Sequence, residues 1–587
     1  MQQAKQIVQT VFGYDTFRSG QEEAIERMMS EQSLLCVMPT GGGKSLCYQV
    51  PALLTEGTVL VISPLISLMK DQVDALNQLG VEAAFMNSSL DESSYIATMA
   101  LAERGHFQLL YVAPERLGAP SFQKLLRRLT APSIAIDEAH CISEWGHDFR
   151  PSYRHIGQLL DQFDERPPVI ALTATATPNV QRDICHQLGI EPSNIVATSV
   201  ERDNLTFSVE KGIDRLAYVE QYARKYEGES GIIYAATRKT VEEVSRQLER
   251  KGISVTMYHG GLGDREREEA QRAFVENRVD IIVATNAFGM GIDQSNVRFV
   301  IHYQLPSSIE AYYQEAGRAG RDGLPSDCVL LYAPQDVQTQ RFLIEQSSDE
   351  KRREEEMEKL QQVVDYVHTE RCLDRYLLTY FGEQREEGCG RCSNCVDDRV
   401  FVDVTTDAQK VLSCIVRMRQ MYGKGLVAQV LAGSNNQKIR DQRFQELSTY
   451  GLMKGQTIRS ITQFIEWLIA EQYVHVENYP YPTLSVTEKG KKILVGEERV
   501  MKKKEKVTME IKKDDPLFQR LRTLRMEIAQ REAVPPFVIF SDRTLRELCE
   551  KKPQSLEELR EIHGVGEVKL HQYGTLFLEE LVLHASR

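Results

Sequence analysis

The sequence predicts an α/β chain of two consecutive parallel-sheet units. A helical module built on a cysteine cluster, a helix-and-hairpin domain and a small all-α helical bundle follow. Three observations predict this. A Gly-rich turn, Gly41-Gly42-Gly43-Lys44-Ser45, separates the apolar run Ser33 to Met38 from a helix, and strand and helix patterns alternate from there, as in layered α/β folds. The alternation begins again after Glu201, with strands expected at Gly231 to Tyr234, Ser254 to His259 and Asp280 to Thr285 and a helix at Lys239 to Lys251. Beyond residue 332 it stops, and Cys372, Cys389, Cys392 and Cys395 follow with sixteen, two and two residues between them. With 587 residues and roughly 150 per domain, the expected units are 1–200, 201–332, 333–400, 401–498 and 514–587, with a linker at 499–513.

The first unit carries the chemistry. A Gly-rich turn between strand and helix points bare backbone N–H groups at phosphates, so Gly41 and Gly43 read as a cradle, Lys44 reaches the terminal phosphates and Ser45 ligates Mg²⁺. The loop departs from the strict phosphate-loop pattern, because Met38 stands six residues before Lys44 where that pattern has Gly. Specificity comes from downstream. The run Ser133 to Ile136 reads as a buried strand delivering Asp137 to its C-terminal end, where open α/β sheets bind ligands. Asp137 would hold the same metal, and Glu138 would polarise the attacking water. Together these residues predict ATP hydrolysis.

Composition narrows the setting. The chain is 42% hydrophobic and 26% charged, its apolar stretches are strand-sized, and Met1 to Lys5 has no signal-peptide core, so a cytosolic protein without a membrane span is expected. The net charge of −13 weighs only weakly against nucleic acid, since a basic groove can sit on an acidic protein. Cys36, Cys47, Cys141, Cys185, Cys328, Cys414 and Cys549 read as small core residues. The four clustered cysteines suit a closed tetrahedral structural zinc site. Ser348 to Lys359 reads as a solvated charged helix, and Val500 to Lys513, with six lysines, as linker.

In the second unit, Gln314 to Arg321 places Arg318 and Arg321 three apart on an expected helix, and so on one face. Arginine is the side chain that stabilises charge on a transferring phosphoryl group when delivered from a partner domain. After Asp137-Glu138-Ala139-His140 comes Cys141 to Pro151, where Trp145 and Phe149 with His147 and Arg150 combine base-stacking faces with phosphate-binding charge.

These motifs, with Ser63-Pro64-Leu65, Ala113 to Leu117, Leu172 to Thr177 and Ala284 through Gly291, occur in the order seen in superfamily 2 helicases. The specific match resembles the RecQ family of DNA helicases, over essentially the whole chain. Gln294-Ser295 stands where many relatives have Lys-Pro. The resemblance implies two RecA-like domains, a zinc module, a winged helix and a helicase-and-RNase-D C-terminal (HRDC) bundle. It also implies an adenine-reading motif of Tyr14, Arg18 and Gln21, and DNA-to-ATPase coupling through His140, Trp145, His147, Phe149 and Arg150. The hairpin expected at Tyr473 to Thr487 resembles a strand-separating wing with Tyr481 near its tip, and Asn435 to Arg440 resembles a helix start that meets duplex backbone. Val534-Pro535-Pro536 and Gly564-Val565-Gly566 resemble the terminal bundle's marks, whose Lys551, Lys552 and Lys569 read as solvated. The implied activity is ATP-, Mg²⁺- and zinc-dependent 3′ to 5′ unwinding of single-strand-tailed and branched DNA by a nucleoid-associated monomer, with single-strand-binding protein among its partners. Competing readings are an RNA helicase and a nucleotide-gated DNA clamp.

Overall fold

The apolar run at residues 33–38 forms strand β1 (Leu34–Val37), buried on both faces, as expected of a central parallel strand. The coordinates, a computed structural model, describe residues 1–587 except 132, 147, 162, 164, 290–293, 295, 347–349, 478–481, 505–515, 533–538, 541, 563–564, 566 and 586–587. His147, Tyr481, Gly291 to Asp293, Val534 to Pro536, Gly564, Gly566 and most of the expected linker lie outside the described residues. Residues 1–503 and 504–587 form two compact units.

The first lobe adds β2 (Val59–Ile62), β3 (Ala83–Met86), β4 (Leu109–Val112), β5 (Ile134–Ile136), β6 (Val169–Thr173) and β7 (Ile195–Ala197). Their order is β3-β4-β2-β5-β6-β1-β7, parallel throughout. Alternate side chains feed two cores. Leu35, Val37, Ile134 and Ile136 pack with Phe122, Tyr153 and Ile184 on one face, while Leu34, Cys36, Ala135 and Ile170 pack with Ala24, Cys47 and Met69 on the other. The Gly-rich turn after β1 and Asp137 after β5 therefore emerge at the same carboxyl edge, with β6 between their strands.

The second lobe is a parallel sheet of β8 (Leu205–Lys211), β9 (Ser230–Tyr234), β10 (Val255–Tyr258), β11 (Ile281–Ala284), β12 (Val297–His302) and β13 (Ser326–Tyr332). The order is β10-β11-β9-β12-β13-β8. Its core continues into the cysteine module: Phe207, Tyr312 and Leu330 share one cluster with Tyr366, Leu373, Leu377 and Cys392. The charged helix expected over Ser348 to Lys359 buries no residue in its described part, but it runs on past Lys359 into the core. The helix spans Glu350–His368, and its C-terminal half buries Leu360, Val363, Val364, Tyr366 and Val367.

Helices Thr405–Arg417, Lys424–Leu431 and Ile458–Ala470 build the next core, flanked by the hairpin β15 (Val474–Glu477) and β16 (Thr483–Val486). The short helix Gln437–Asp441 is capped by Asn436, whose side chain accepts the Ile439 N–H at 3.0 Å. Residues 500–503 are not linker. Val500 is fully buried, and β17 (Met501–Lys503) pairs antiparallel with β14 (Phe401–Asp403). The Lys503 ammonium is buried, donating to the carbonyls of Asn394 and Asp397 at 2.9 and 3.1 Å, so its charge belongs to the fold rather than to a solvated tract. The second unit is helical, with Phe540 against Phe577 at 4.7 Å in its core and Ser555 capping Leu556–Arg560. Lys551 there is ion-paired with Glu547 at 2.8 Å.

Candidate active site

The turn after β1 needs its glycines. Gly41 and Gly43 sit at φ 81° and 74°, a region L side chains rarely adopt. The turn leads into the helix Leu46–Ala52, and the Lys44 ammonium donates to the Met38 carbonyl at 3.3 Å. Burial pushes the Lys44 pKa down, while Glu138 and Asp137 pull it back up and Arg321 lowers it further. Asp137 is held by the Ile62 carbonyl at its N–H (2.8 Å), by the Tyr153 hydroxyl at its carbonyl (2.9 Å) and by the Ser63 hydroxyl at its carboxylate (3.5 Å). Burial and the neighbouring Glu138 carry its carboxyl up to about 6, against the pull of Lys44. Glu138 adopts φ 49°, a left-handed conformation that costs roughly 1–2 kcal/mol for a side-chain-bearing residue. Such strain concentrates at functional sites.

His140 is wholly buried. Its ring lies 3.3 Å from the Glu138 carboxylate and 2.9 Å from the Thr173 hydroxyl. Burial opposes the charged ring, but Cys141 and Glu138 outweigh it and hold its pKa above the ordinary value. It therefore touches no solvent surface and links Glu138 to the end of β6.

The aromatic segment leaves directly from this point. A Cβ on Gly146 would collide with the His140 carbonyl, so only glycine lets the loop close on the acidic motif. Trp145 is 47% exposed. Its carbonyl accepts the Lys359 ammonium at 2.7 Å, and the Lys351 ammonium lies 5.3 Å from its ring centre. Both lysines come from the helix Glu350–His368. Phe149 is partly buried. Arg150 is engaged, donating to Asp148 at 3.0 Å and to the Pro64 carbonyl at 3.3 Å, so it braces the loop against the segment after β2.

Gln21 is buried, with its carbonyl accepting the Arg18 N–H (2.8 Å) and its amide donating to the Gly42 and Gly43 carbonyls (3.2 and 2.9 Å). The Arg18 guanidinium donates to the Gly41 carbonyl. Both residues brace the phosphate loop, and Tyr14 is exposed beside them in sequence.

Arg318 and Arg321 do not lie on a helix. The helix Ile309–Ala316 ends at Gly317, and both follow in a turn. Arg318 is buried in its own lobe, its guanidinium 3.3 Å from where a Cβ on Gly289 would stand. Arg321 crosses to the first lobe, its Cγ 3.5 Å from where a Cβ on Gly41 would stand. The structure thus brings Lys44, Asp137, Glu138 and Arg321 together, whereas Arg318 is buried beside Gly289 in the second lobe. Arg202 went unread in the sequence. It bonds to Thr40 and to Gly320, and no motif spacing distinguishes it from an ordinary connector arginine.

The cysteine cluster is separate and compact. All four Sγ atoms lie within 4.8 Å of one another, with Cys389 to Cys395 at 3.9 Å and Cys372 to Cys392 at 4.0 Å. A tetrahedral zinc with bonds of about 2.3 Å sets its sulfurs ~3.8 Å apart, so the cluster fits that ion. Backbone N–H groups of Arg375, Cys389, Cys392 and Leu373 point at the sulfurs at 3.2–3.4 Å and favour thiolates, while the neighbouring Cys392 and burial push the Cys372 thiol up and burial pushes up that of Cys389.

A phosphate loop and acidic pair on one parallel sheet, faced by an arginine from a second and continued into an aromatic loop, define a two-lobed nucleoside-triphosphatase motor. The chain matches the DEAD/DEAH box helicase family over residues 18–183, the helicase conserved C-terminal domain over 214–323, the RecQ zinc-binding family over 334–396, the RQC domain over 398–510 and the HRDC domain over 514–581. It is 50% identical over 587 residues to the ATP-dependent DNA helicase RecQ of Bacillus subtilis (strain 168), covering 100% of this chain and 99% of the relative. It is 41% identical to the protein of that name from Haemophilus influenzae, covering 99% and 96%. The chain belongs to the RecQ family of ATP-dependent DNA helicases. Among the described residues no helix is long and apolar enough to cross a membrane.

Proposed function

We propose that this helicase translocates 3′ to 5′ on single-stranded DNA and opens tailed and branched duplexes in recombination, repair and fork processing. The proposal includes action as a monomer on nucleoid DNA in the cytoplasm, with single-strand-binding protein among its partners. The observation that supports it best is the short path from Glu138 through buried His140 to the Gly146 contact and exposed Trp145, which couples a base-stacking face to the hydrolytic acid. Glu138 orients the attacking water, while Lys44 and Arg321 hold the charge that develops on the phosphoryl oxygens. The oxygen donors of Ser45 and Asp137 suit a hard cation, and Mg²⁺ there would add further charge neutralisation. Tyr14, Arg18 and Gln21 are proposed to read adenine, with Gln21 exchanging its loop contacts for the base edge. Tyr481 is proposed as the wedge.

Trp145→Ala is expected to keep basal ATP turnover and lose its stimulation by single-stranded DNA. Stimulation that survives in a phosphate-release assay contradicts the coupling role. A metal ligand must be ionised, and the Asp137 carboxyl is raised to about 6, so the apparent affinity for Mg²⁺ should be full above that pH and fall as pH drops through it. Mg²⁺ titrations of turnover at pH 5.5, 6.5 and 7.5 check this, and identical half-saturating concentrations would count against it.

A further inference from the structure

We infer that Arg202 is the positioning residue that locks the arginine turn of the second lobe to the phosphate loop of the first, and so sets Arg321 against the nucleotide. This rests on the role given to Arg321 above. Arg202 lies in the connector between β7 and β8, and its guanidinium has all five donors engaged. One amino group donates to the carbonyls of Thr40 (3.1 Å) and Gly317 (3.4 Å). The other donates to those of Ala319 (3.1 Å) and Gly320 (2.7 Å). Its Nε donates to the Asn204 side-chain Oδ1 at 3.3 Å. No donor remains for a phosphate, so Arg202 acts through the backbone it holds rather than on the reacting group.

The turn it grips is the one that carries both arginines. Gly320, which precedes Arg321, sits at φ 57°, and a Cβ there would collide with the Asn204 amide and stand 2.8 Å from the Leu324 carbonyl. Asn204 itself donates to the Gly320 and Leu324 carbonyls at 2.8 and 2.9 Å. The connector beneath is fixed in turn from the zinc module. Glu383 accepts from the Ser199 hydroxyl and Val200 N–H at 2.6 Å, and Arg391, between two of the cysteines, donates to the carbonyls of Leu205 (3.0 Å) and Arg202 (3.3 Å). A planar fork that reaches one carbonyl of the first lobe and three of the second is a contact lysine cannot reproduce. Separation of the lobes at this point must break either the Thr40 bond or the three bonds to the arginine turn, so Arg202 ties the phosphate loop to the segment that carries Arg321.

The test uses the full chain and four variants, R202A, R202K, R321A and R202A/R321A, at saturating single-stranded DNA. Misplacing a catalytic group by about 1 Å costs on the order of 10²-fold, so R202A should lower kcat by roughly that factor with a smaller change in KM for ATP. R202K, which keeps the charge and loses the fork, should stay within about threefold of R202A. In the R321A background, R202A should cost little more, because its effect passes through Arg321. Hydrogen–deuterium exchange of the peptide spanning Gly317 to Gly323 should rise in R202A and not in R321A. Unchanged exchange in R202A, or an R202A penalty of equal size with and without Arg321, overturns the inference. Raised exchange in R202A beside parental turnover in R321A would instead discard the role of Arg321 and leave the clamp standing.

Discussion

Lys44→Ala is expected to abolish ATP turnover, lowering kcat by at least ~10³-fold, while DNA binding stays within about threefold of the parent protein. Removal of a single preorganised neutral donor to a developing charge costs about 10²–10³-fold, and Lys44 offers an ammonium at a partly buried site. It also opposes the elevation of the Asp137 pKa. Without it, Asp137 is less ionised at neutral pH, and the metal site weakens together with the phosphate contact. The DNA-coupling surface proposed around Trp145 contains no part of Lys44, so affinity for single-stranded DNA should persist. Phosphate release with and without DNA, beside a fluorescence-anisotropy titration, checks both halves. Turnover near the parental rate would remove the basis for reading residues 41–45 as the nucleotide site.

Cys392→Ala should have the largest effect on stability. Cys392 is fully buried, and it shares a core with Phe207, Tyr312 and Leu377, so loss of the metal there exposes the shared packing of the second lobe as well as the module. Structural zinc sites contribute apparent free energies of about 10–16 kcal/mol in small domains. Even ~5 kcal/mol, at about 1 °C per kcal/mol for a unit of roughly 500 residues, lowers the unfolding midpoint by about 5 °C. Metal analysis should find no bound zinc in the variant where the parent holds one per chain. ATP turnover should fall too, because Glu383 and Arg391 hold the connector that carries Arg202. Full zinc content with an unchanged midpoint would contradict this reading of the cluster.

What could be read in the sequence followed the rules that act locally. Gly41, Gly43 and the strand before them announce a phosphate loop because positive φ and a buried parallel strand leave direct marks in residue type. Asp137 follows β5 for the same reason, and four cysteines at short spacings announce a closed metal site before any coordinates. The run Gln314 to Arg321 reads as helix because its arginines stand three apart, whereas Gly317 and Gly320 end the helix and free Arg321 to cross between lobes. Lys503 reads as linker because a lysine run carries no sign that one member pairs in a strand and donates to buried carbonyls. Arg202, Lys351 and Lys359 were invisible for a related reason. Each acts on backbone or rings more than one hundred residues away, and a long-range contact to a carbonyl leaves no spacing in the chain.

In the proposed mechanism the two lobes and the aromatic loop convert ATP hydrolysis into directional strand separation. Strand displacement on a DNA duplex bearing a 3′ single-stranded tail tests it most directly, measured beside the same duplex with a 5′ tail and with an RNA tail, with and without ATP. ATP-dependent opening of the 3′-tailed DNA alone is the predicted result. ATP turnover without displacement, or preference for the 5′ or RNA tail, would contradict it.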